Sequence, residues 1–227
     1  MLDAQTQIQA RSLSVAFRRN GERLDALHDV RLDVAAGEFV GIVGPSGSGK
    51  TTLLNVLGGL LVPTAGKVLV DGRDLYALSD ARRARLRSGM LSFIFQTYHL
   101  HPQLSVRQNV ELPFAFARQA CPDAQARLNA ALEELGLTEM ANAAAGALSS
   151  GQKQRVVVAR ALVSQAGIVL ADEPTANLDP DNASVVMNAI HRANRERGAT
   201  VLIVAHDADA LVGATRTLRL DAGRLVA

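Results

Sequence analysis

The stretch FVGIVGPSGSGKT, residues 39–51, decides the fold. Phe39 to Val43 is a compact apolar run of the kind a buried strand makes, and it ends in a Gly-rich turn. Thr51 to Leu61 then carries helical patterning, closed by the turn Pro63-Thr64-Ala65-Gly66. Between strand and helix, Gly44 to Thr51 matches G-x-x-x-x-G-K-[ST], in the context that spacing needs. Glycines let successive backbone N–H groups turn inward on a phosphate, and the helix directs its positive end at the same point. Gly44, Pro45, Ser46, Gly47, Ser48, Gly49, Lys50, Thr51 and Thr52 are therefore expected around a nucleotide's phosphates. Lys50 would reach the β- and γ-phosphates, and the Thr51 hydroxyl would ligate Mg²⁺.

Outward from this loop, short apolar runs alternate with longer helical patterns, which predicts an α/β protein with a largely parallel sheet. Val30, Leu32 and Val34 alternate with polar residues as a half-exposed strand would. Lys67–Val70 and Leu91–Phe95 read as strands, with an Arg-rich helix capped by Ser79/Asp80 between them. From Thr97 to Val163 strand signals give way to helical patterning, an insertion into the core formed by 1–96 and 164–227. Strand runs return at Ile168–Ala171, Val201–Ala205 and Thr217–Leu220, with a helix over Asp181–Arg197. No repeat or linker divides the chain, so residues 1–227 are expected to form a single domain.

Composition narrows the function classes. The 227 residues suit one domain, and 4% aromatic content leaves the core to Leu, Val, Ile and Ala. Basic and acidic residues number 24 and 22, so a net charge of +2 does not indicate a nucleic-acid partner. The run Arg82/Arg83/Arg85/Arg87 reads better as a solvated helix face. One cysteine, Cys121, excludes an internal disulfide framework and a Cys-rich zinc site. No apolar stretch reaches the roughly 18 residues of a membrane span, and the N-terminus does not read as a signal peptide. A soluble, cytoplasmic protein is expected.

Further chemistry lies at strand ends. Ile168-Val-Leu-Ala171 places Asp172 and Glu173 at a strand's C-terminal end, where open α/β sheets bind ligands. Asp172 is suited to hold Mg²⁺, and Glu173 to activate an attacking water. Ser149, Gly151 and Gln152 lie in LSSGQ, which opens a helix as a second anion site or as an ordinary cap. His206 and Gln96 each follow a strand, positions where such residues also serve as plain structural hydrogen-bonders.

In order and spacing these pieces resemble the ATP-binding cassette of ABC transporters, over essentially the whole chain. GPSGSGKT matches the Walker A loop, Gln96 the Q-loop, LSSGQ the signature, IVLADE the Walker B strand, Asn177-Leu178-Asp179 the D-loop and His206 the switch histidine. The resemblance implies a P-loop NTPase (RecA-like) core with a mixed sheet, an N-terminal antiparallel β-portion and an inserted α-helical subdomain. It implies ATP and Mg²⁺ as ligands, with Gln96 linking the metal and water to the helical part. Phe17, otherwise an apolar strand residue, falls where the family stacks an aromatic on adenine. Two copies would face head to tail, Ser149, Gly151 and Gln152 of one closing over ATP held by Lys50 of the other. Asp179 would lie at that interface, and His206 would contact the γ-phosphate.

The signature departs from the family's Leu-Ser-Gly-Gly-Gln at Ser150. A positive φ there would strain a serine, whereas at negative φ a serine is harmless; a Cβ also narrows the approach to phosphate, and the expectation is a somewhat weakened ATP-driven closure. GEFVGIVGPSGSGKTTLLNVLGGL and LADEPTANLD look like the lipoprotein-releasing and macrolide-export branch. Its partners are four-span membrane proteins with large periplasmic domains, and Gln96–Phe116 would dock to such a partner. That places the chain at the cytoplasmic face of a bacterial inner membrane. The ATPase of a small-solute importer shares every motif and stays an alternative. A DNA-repair ABC ATPase would need a long insertion for which there is no room, and a P-loop kinase would explain neither LSSGQ nor His206.

Overall fold

Strands buried on both faces have no polar side to show, and this is why the parallel sheet reads as unbroken apolar runs. In the computed structural model, which describes residues 6–19, 22–116, 121–176, 178–206 and 211–226, ten strands form two sheets. The antiparallel sheet comprises β1 (Thr6–Arg19), β2 (Glu22–Ala35), β4 (Ala65–Val70) and β5 (Arg73–Asp74), in the order β2-β1-β4-β5. The larger one comprises β3 (Phe39–Val43), β6 (Leu91–Ile94), β7 (Ile168–Asp172), β8 (Thr200–Ala205), β9 (Arg216–Asp221) and β10 (Arg224–Val226). Its order is β10-β9-β3-β8-β7-β6; only β10 runs antiparallel to its neighbour, so the sheet is mixed.

Successive side chains of these strands enter opposite cores. Val40, Ile42, Ile168, Leu170, Leu202 and Val204 pack toward α1 (Lys50–Leu57) and the antiparallel sheet. Phe39, Val169, Ala171, Val201 and Ile203 pack toward the helices on the other side. Those helices are α3 (Val106–Ala115), α4 (Ala124–Glu134), α5 (Ser150–Val163) and α6 (Pro180–Arg197). Among the described residues between β6 and β7 the regular elements are helices and a short 3-10 turn, Ala145–Ala147, with one isolated antiparallel bridge between Ser105 and Ala144. They have no core of their own, since Val106, Val110, Leu128 and Leu132 join the cluster that covers the sheet. Fully buried Asn109 pins the segment leading into α3, its side chain bonding the backbone of His101, Leu104 and Ser105.

Several boundaries differ from the sequence reading. Helix α1 stops at Leu57 rather than Leu61, because Gly59 turns the chain at φ +68°. Strand β4 already begins at Ala65, inside the expected turn. The Arg run lies on α2 (Asp80–Met90) and splits by role. Arg83 pairs with Asp80 and sits over the Tyr76 ring, Arg87 donates to the Gly59 carbonyl, and Arg82 and Arg85 are exposed. Among the described residues, no helix is long and apolar enough to cross a membrane.

Candidate functional site

The C-terminal ends of β3, β6, β7 and β8 open onto one cleft of about 390 Å³. Phe17, the loop residues 46–52, Gln96, Glu173 and His206 line it. Leu24 and Ala26 complete the wall from β2 and were not anticipated. Phe17 pairs with Leu24 across β1 and β2, a register that an Asn20-Gly21 hairpin signal could have suggested.

The loop's shape depends on its glycines. Gly49 sits at φ +103° at the N-terminus of α1, and a Cβ there would lie 2.5 Å from the Ala26 carbonyl oxygen. Gly49→Ala therefore meets a backbone clash as well as the roughly 1–2 kcal/mol cost of a left-handed L-residue. ATP affinity is expected to fall about tenfold or more, read by nucleotide titration; wild-type affinity would show that the loop tolerates a rearranged backbone.

Lys50 is only 6% exposed, and its Nζ donates to the carbonyls of Gly44 (2.7 Å) and Pro45 (3.1 Å). An ammonium has three donors, so one is left for an incoming oxygen. Behind it, Asp172 closes β7 and faces Thr51. Burial pushes the Asp172 carboxyl above the usual range, aided by the charge of Glu173 and opposed by the nearby Thr51 hydroxyl and the Lys50 ammonium. Asp172 Oδ1 and Ser48 Oγ are buried without a hydrogen-bond partner, the serine in the cleft's wall and the aspartate next to Glu173, which lines it. At its rim, Gln96 Nε2 donates to Glu173 Oε2 at 3.0 Å, and Ser46 Oγ lies 2.9 Å from His206 Nε2.

The signature residues are not part of this cleft. Ser149 caps α5, and a reciprocal capping box ties it to Gln152 at 2.9 and 3.3 Å. Asp179 caps α6, accepting from the Asn182 backbone N–H at 3.0 Å and from Asn182 Nδ2 at 2.6 Å. Those bonds hold its carboxyl below the usual range. A Cβ on Gly151 would approach Asn182 Nδ2 to 3.1 Å, so the two helix N-termini form one surface away from the phosphate loop. Asn177 of the expected D-loop lies outside the described residues, as do residues 1–5 at the N-terminus.

Ser150 falls on the harmless side of the two backbone alternatives. It is the first residue of α5, exposed, and absent from the positive-φ positions, so its backbone carries none of the strain on which the weakened-closure expectation partly rested. Ser150→Gly is expected to change ATP affinity and turnover by less than about twofold, since there is no strain to release. A several-fold gain in either would instead mark the Ser150 side chain as an obstacle to phosphate.

The family model described as ABC transporter matches residues 27–176. The lipoprotein-releasing system ATP-binding protein LolD of Bordetella pertussis is 43% identical over 223 residues, covering 98% of this chain and 96% of that protein. LolD of Bordetella avium is 42% identical over 222 residues, with the same coverage of 98% and 96%. Among solved structures, the ATP-binding cassette MJ0796, in a dimeric post-hydrolysis state bound to ADP and Pi, aligns with a TM-score of 0.91. Identity there is 36%, over 97% of each chain. With a family match across residues 27–176 and a fold shared with such cassettes from end to end, the chain belongs to the ABC transporter family and is an ATP-binding cassette.

Proposed function

We propose that this cassette is the ATP-hydrolysing subunit of a transporter of the lipoprotein-releasing or related export type. It would work at the cytoplasmic face of a bacterial inner membrane beside a separate membrane subunit. The observation that carries the reading is the convergence of Lys50, Asp172, Glu173, Gln96 and His206 on one phosphate loop. The 43% identity to LolD over nearly the whole chain supports the branch.

The orphaned Asp172 Oδ1 beside the Thr51 hydroxyl is an oxygen donor set that suits Mg²⁺. Among the described residues no group of three or more His, Cys, Asp or Glu could hold a metal alone, which fits an ion completed by substrate phosphates and water. Thr51, Asp172 and Gln96 would hold the ion, and it would supply charge neutralisation on the β- and γ-phosphate oxygens. The loop N–H groups and Lys50 bind the triphosphate, with Ser48 Oγ as a further polar contact, and Phe17 presents its ring to the adenine. Glu173 takes the proton of the attacking water as the water oxygen bonds to phosphorus and the bond to the bridging oxygen breaks. His206, released from Ser46, turns to the γ-phosphate.

The separation of Ser149, Gly151, Gln152 and Asp179 from the cleft makes chemical sense in a head-to-tail pair. Each signature surface would then complete the partner's site, and the dimeric structures of the cassette MJ0796 support the pairing of two copies. ATP binds the closed pair better than the open one because only the closed pair offers both halves. For the membrane partner, a groove of about 390 Å³ runs between α2, β6 and α3. From the expected Gln96–Phe116 docking segment, it takes Leu112, Pro113 and Phe116, and Phe116 is 72% exposed. Phe116→Asp is expected to lower copurification with the membrane subunit about tenfold while the variant still binds ATP. Copurification of the tagged wild-type chain tests the branch. Recovery of a four-span protein with a large periplasmic domain is expected, and recovery of an importer permease with a solute-binding protein would overturn it.

A further inference from the structure

Gln154 is polar, 3% exposed, and lies one turn into α5. Its Nε2 donates to the carbonyl of Pro174 at 2.8 Å, directly after Glu173. That turn needs holding. Glu173 sits at φ +47°, a left-handed conformation a non-glycine residue keeps only where its surroundings over-determine it. Proline has no N–H of its own with which to anchor the turn. The Glu173 N–H is tied to the Val204 carbonyl at 3.0 Å, the Glu173 carboxylate to Gln96 at 3.0 Å, and the Pro174 carbonyl to Gln154. The last of these ties comes from α5, the helix whose N-terminus Ser149 and Gln152 cap.

Helix α5 is a stiff carrier for such a tie. Its N-terminus is closed by the capping box, and Val156, Val157, Val158 and Leu162 are buried in the core. Farther along the same helix, Arg160 donates to the carbonyls of Tyr98 and His99, just beyond Gln96. One helix therefore grips the backbone beside both Glu173 and Gln96.

We infer that Gln154 is a positioning residue for hydrolysis: its buried amide fixes the Glu173–Pro174 turn to the signature helix, so that the aim of the carboxylate follows α5. This rests on the reading of Glu173 as the base. A signature loop engaged by the partner's nucleotide then steadies the base of its own chain, through a contact that touches no ligand. Misplacing a reacting group by about 1 Å can cost on the order of a hundredfold in rate, so the tie has leverage over turnover without leverage over affinity.

Gln154→Met keeps a side chain of similar length and loses the donor. Its kcat for ATP hydrolysis is expected to fall about tenfold to a hundredfold with the ATP Kd unchanged, because Gln154 lies outside the nucleotide cleft. In the Glu173→Gln background the same change is expected to add less than about a twofold further loss, since two residues acting as a unit are not additive. Gln154→Asn, which keeps an amide but falls short of Pro174, is expected to lose kcat in the same way and guards against a misfolded methionine variant. Wild-type kcat in either folded variant overturns the role of Gln154, as does an equal loss of ATP affinity or an undiminished loss in the Glu173→Gln background. Should Glu173→Gln itself hydrolyse ATP normally, the reading of Glu173 falls first and takes this inference with it.

Discussion

Glu173→Gln is expected to lower ATP hydrolysis about a hundredfold to ten-thousandfold, the range a positioned general base contributes, while ATP stays bound. The amide matches the carboxylate in shape but cannot accept the water's proton. Glu173 lines the cleft but stands at its rim, 3.0 Å from Gln96 Nε2, whereas the proposed binding surface is the phosphate loop with Lys50. Binding and chemistry should therefore separate in this variant. Single-turnover hydrolysis with bound-nucleotide measurement reads both, and near-normal hydrolysis would remove Glu173 as the base.

Lys50→Met should act on the other half of the problem and weaken ATP binding by about tenfold to a hundredfold, the weight of a charge-assisted hydrogen bond to phosphate. It also strips the carbonyls of Gly44 and Pro45 of the ammonium that now bridges them. Lys50→Arg is not expected to restore binding. The side chain is 6% exposed, and a planar guanidinium has a different shape from the compact ammonium that fits between those carbonyls. Lysine is spent sparingly in this chain, only at Lys50, Lys67 and Lys153, which agrees with a shape requirement at position 50. Titration of both variants with ATP checks this; wild-type affinity in Lys50→Arg would reduce the role of Lys50 to charge alone.

Much of the site was legible because its parts sit where periodicity changes. The apolar runs of β3, β7 and β8 stop at Gly44, Asp172 and His206, and parallel neighbours carry those ends to the same edge. In the antiparallel portion, parts of β2 and β4 were legible as strands but their antiparallel arrangement only through family resemblance, and β1 shows why. Ile8 and Ala10 point inward, then Leu13 and Val15 do, because a register shift between Ala10 and Leu13, with Ser12 at φ +51°, moves the buried positions from even to odd. The same reset occurs in β2 between Leu27 and Val30, with Asp29 at φ +45°. A count of alternation fails across such a shift. Tertiary contacts were equally hidden: LSSGQ was legible as the opening of a helix, but nothing near it indicates that Gln154 reaches Pro174.

Each ATP site is held to be built from two copies of the chain, the phosphate loop of one and the signature surface of the other. The solution mass of the Glu173→Gln protein tests this most directly, measured by sedimentation without nucleotide, with ADP and with saturating ATP. A mass that doubles with ATP alone, and does not double once Lys50→Met is added, is the predicted result. A monomer at saturating ATP with nucleotide demonstrably bound, or a dimer of the same size without nucleotide, would contradict it.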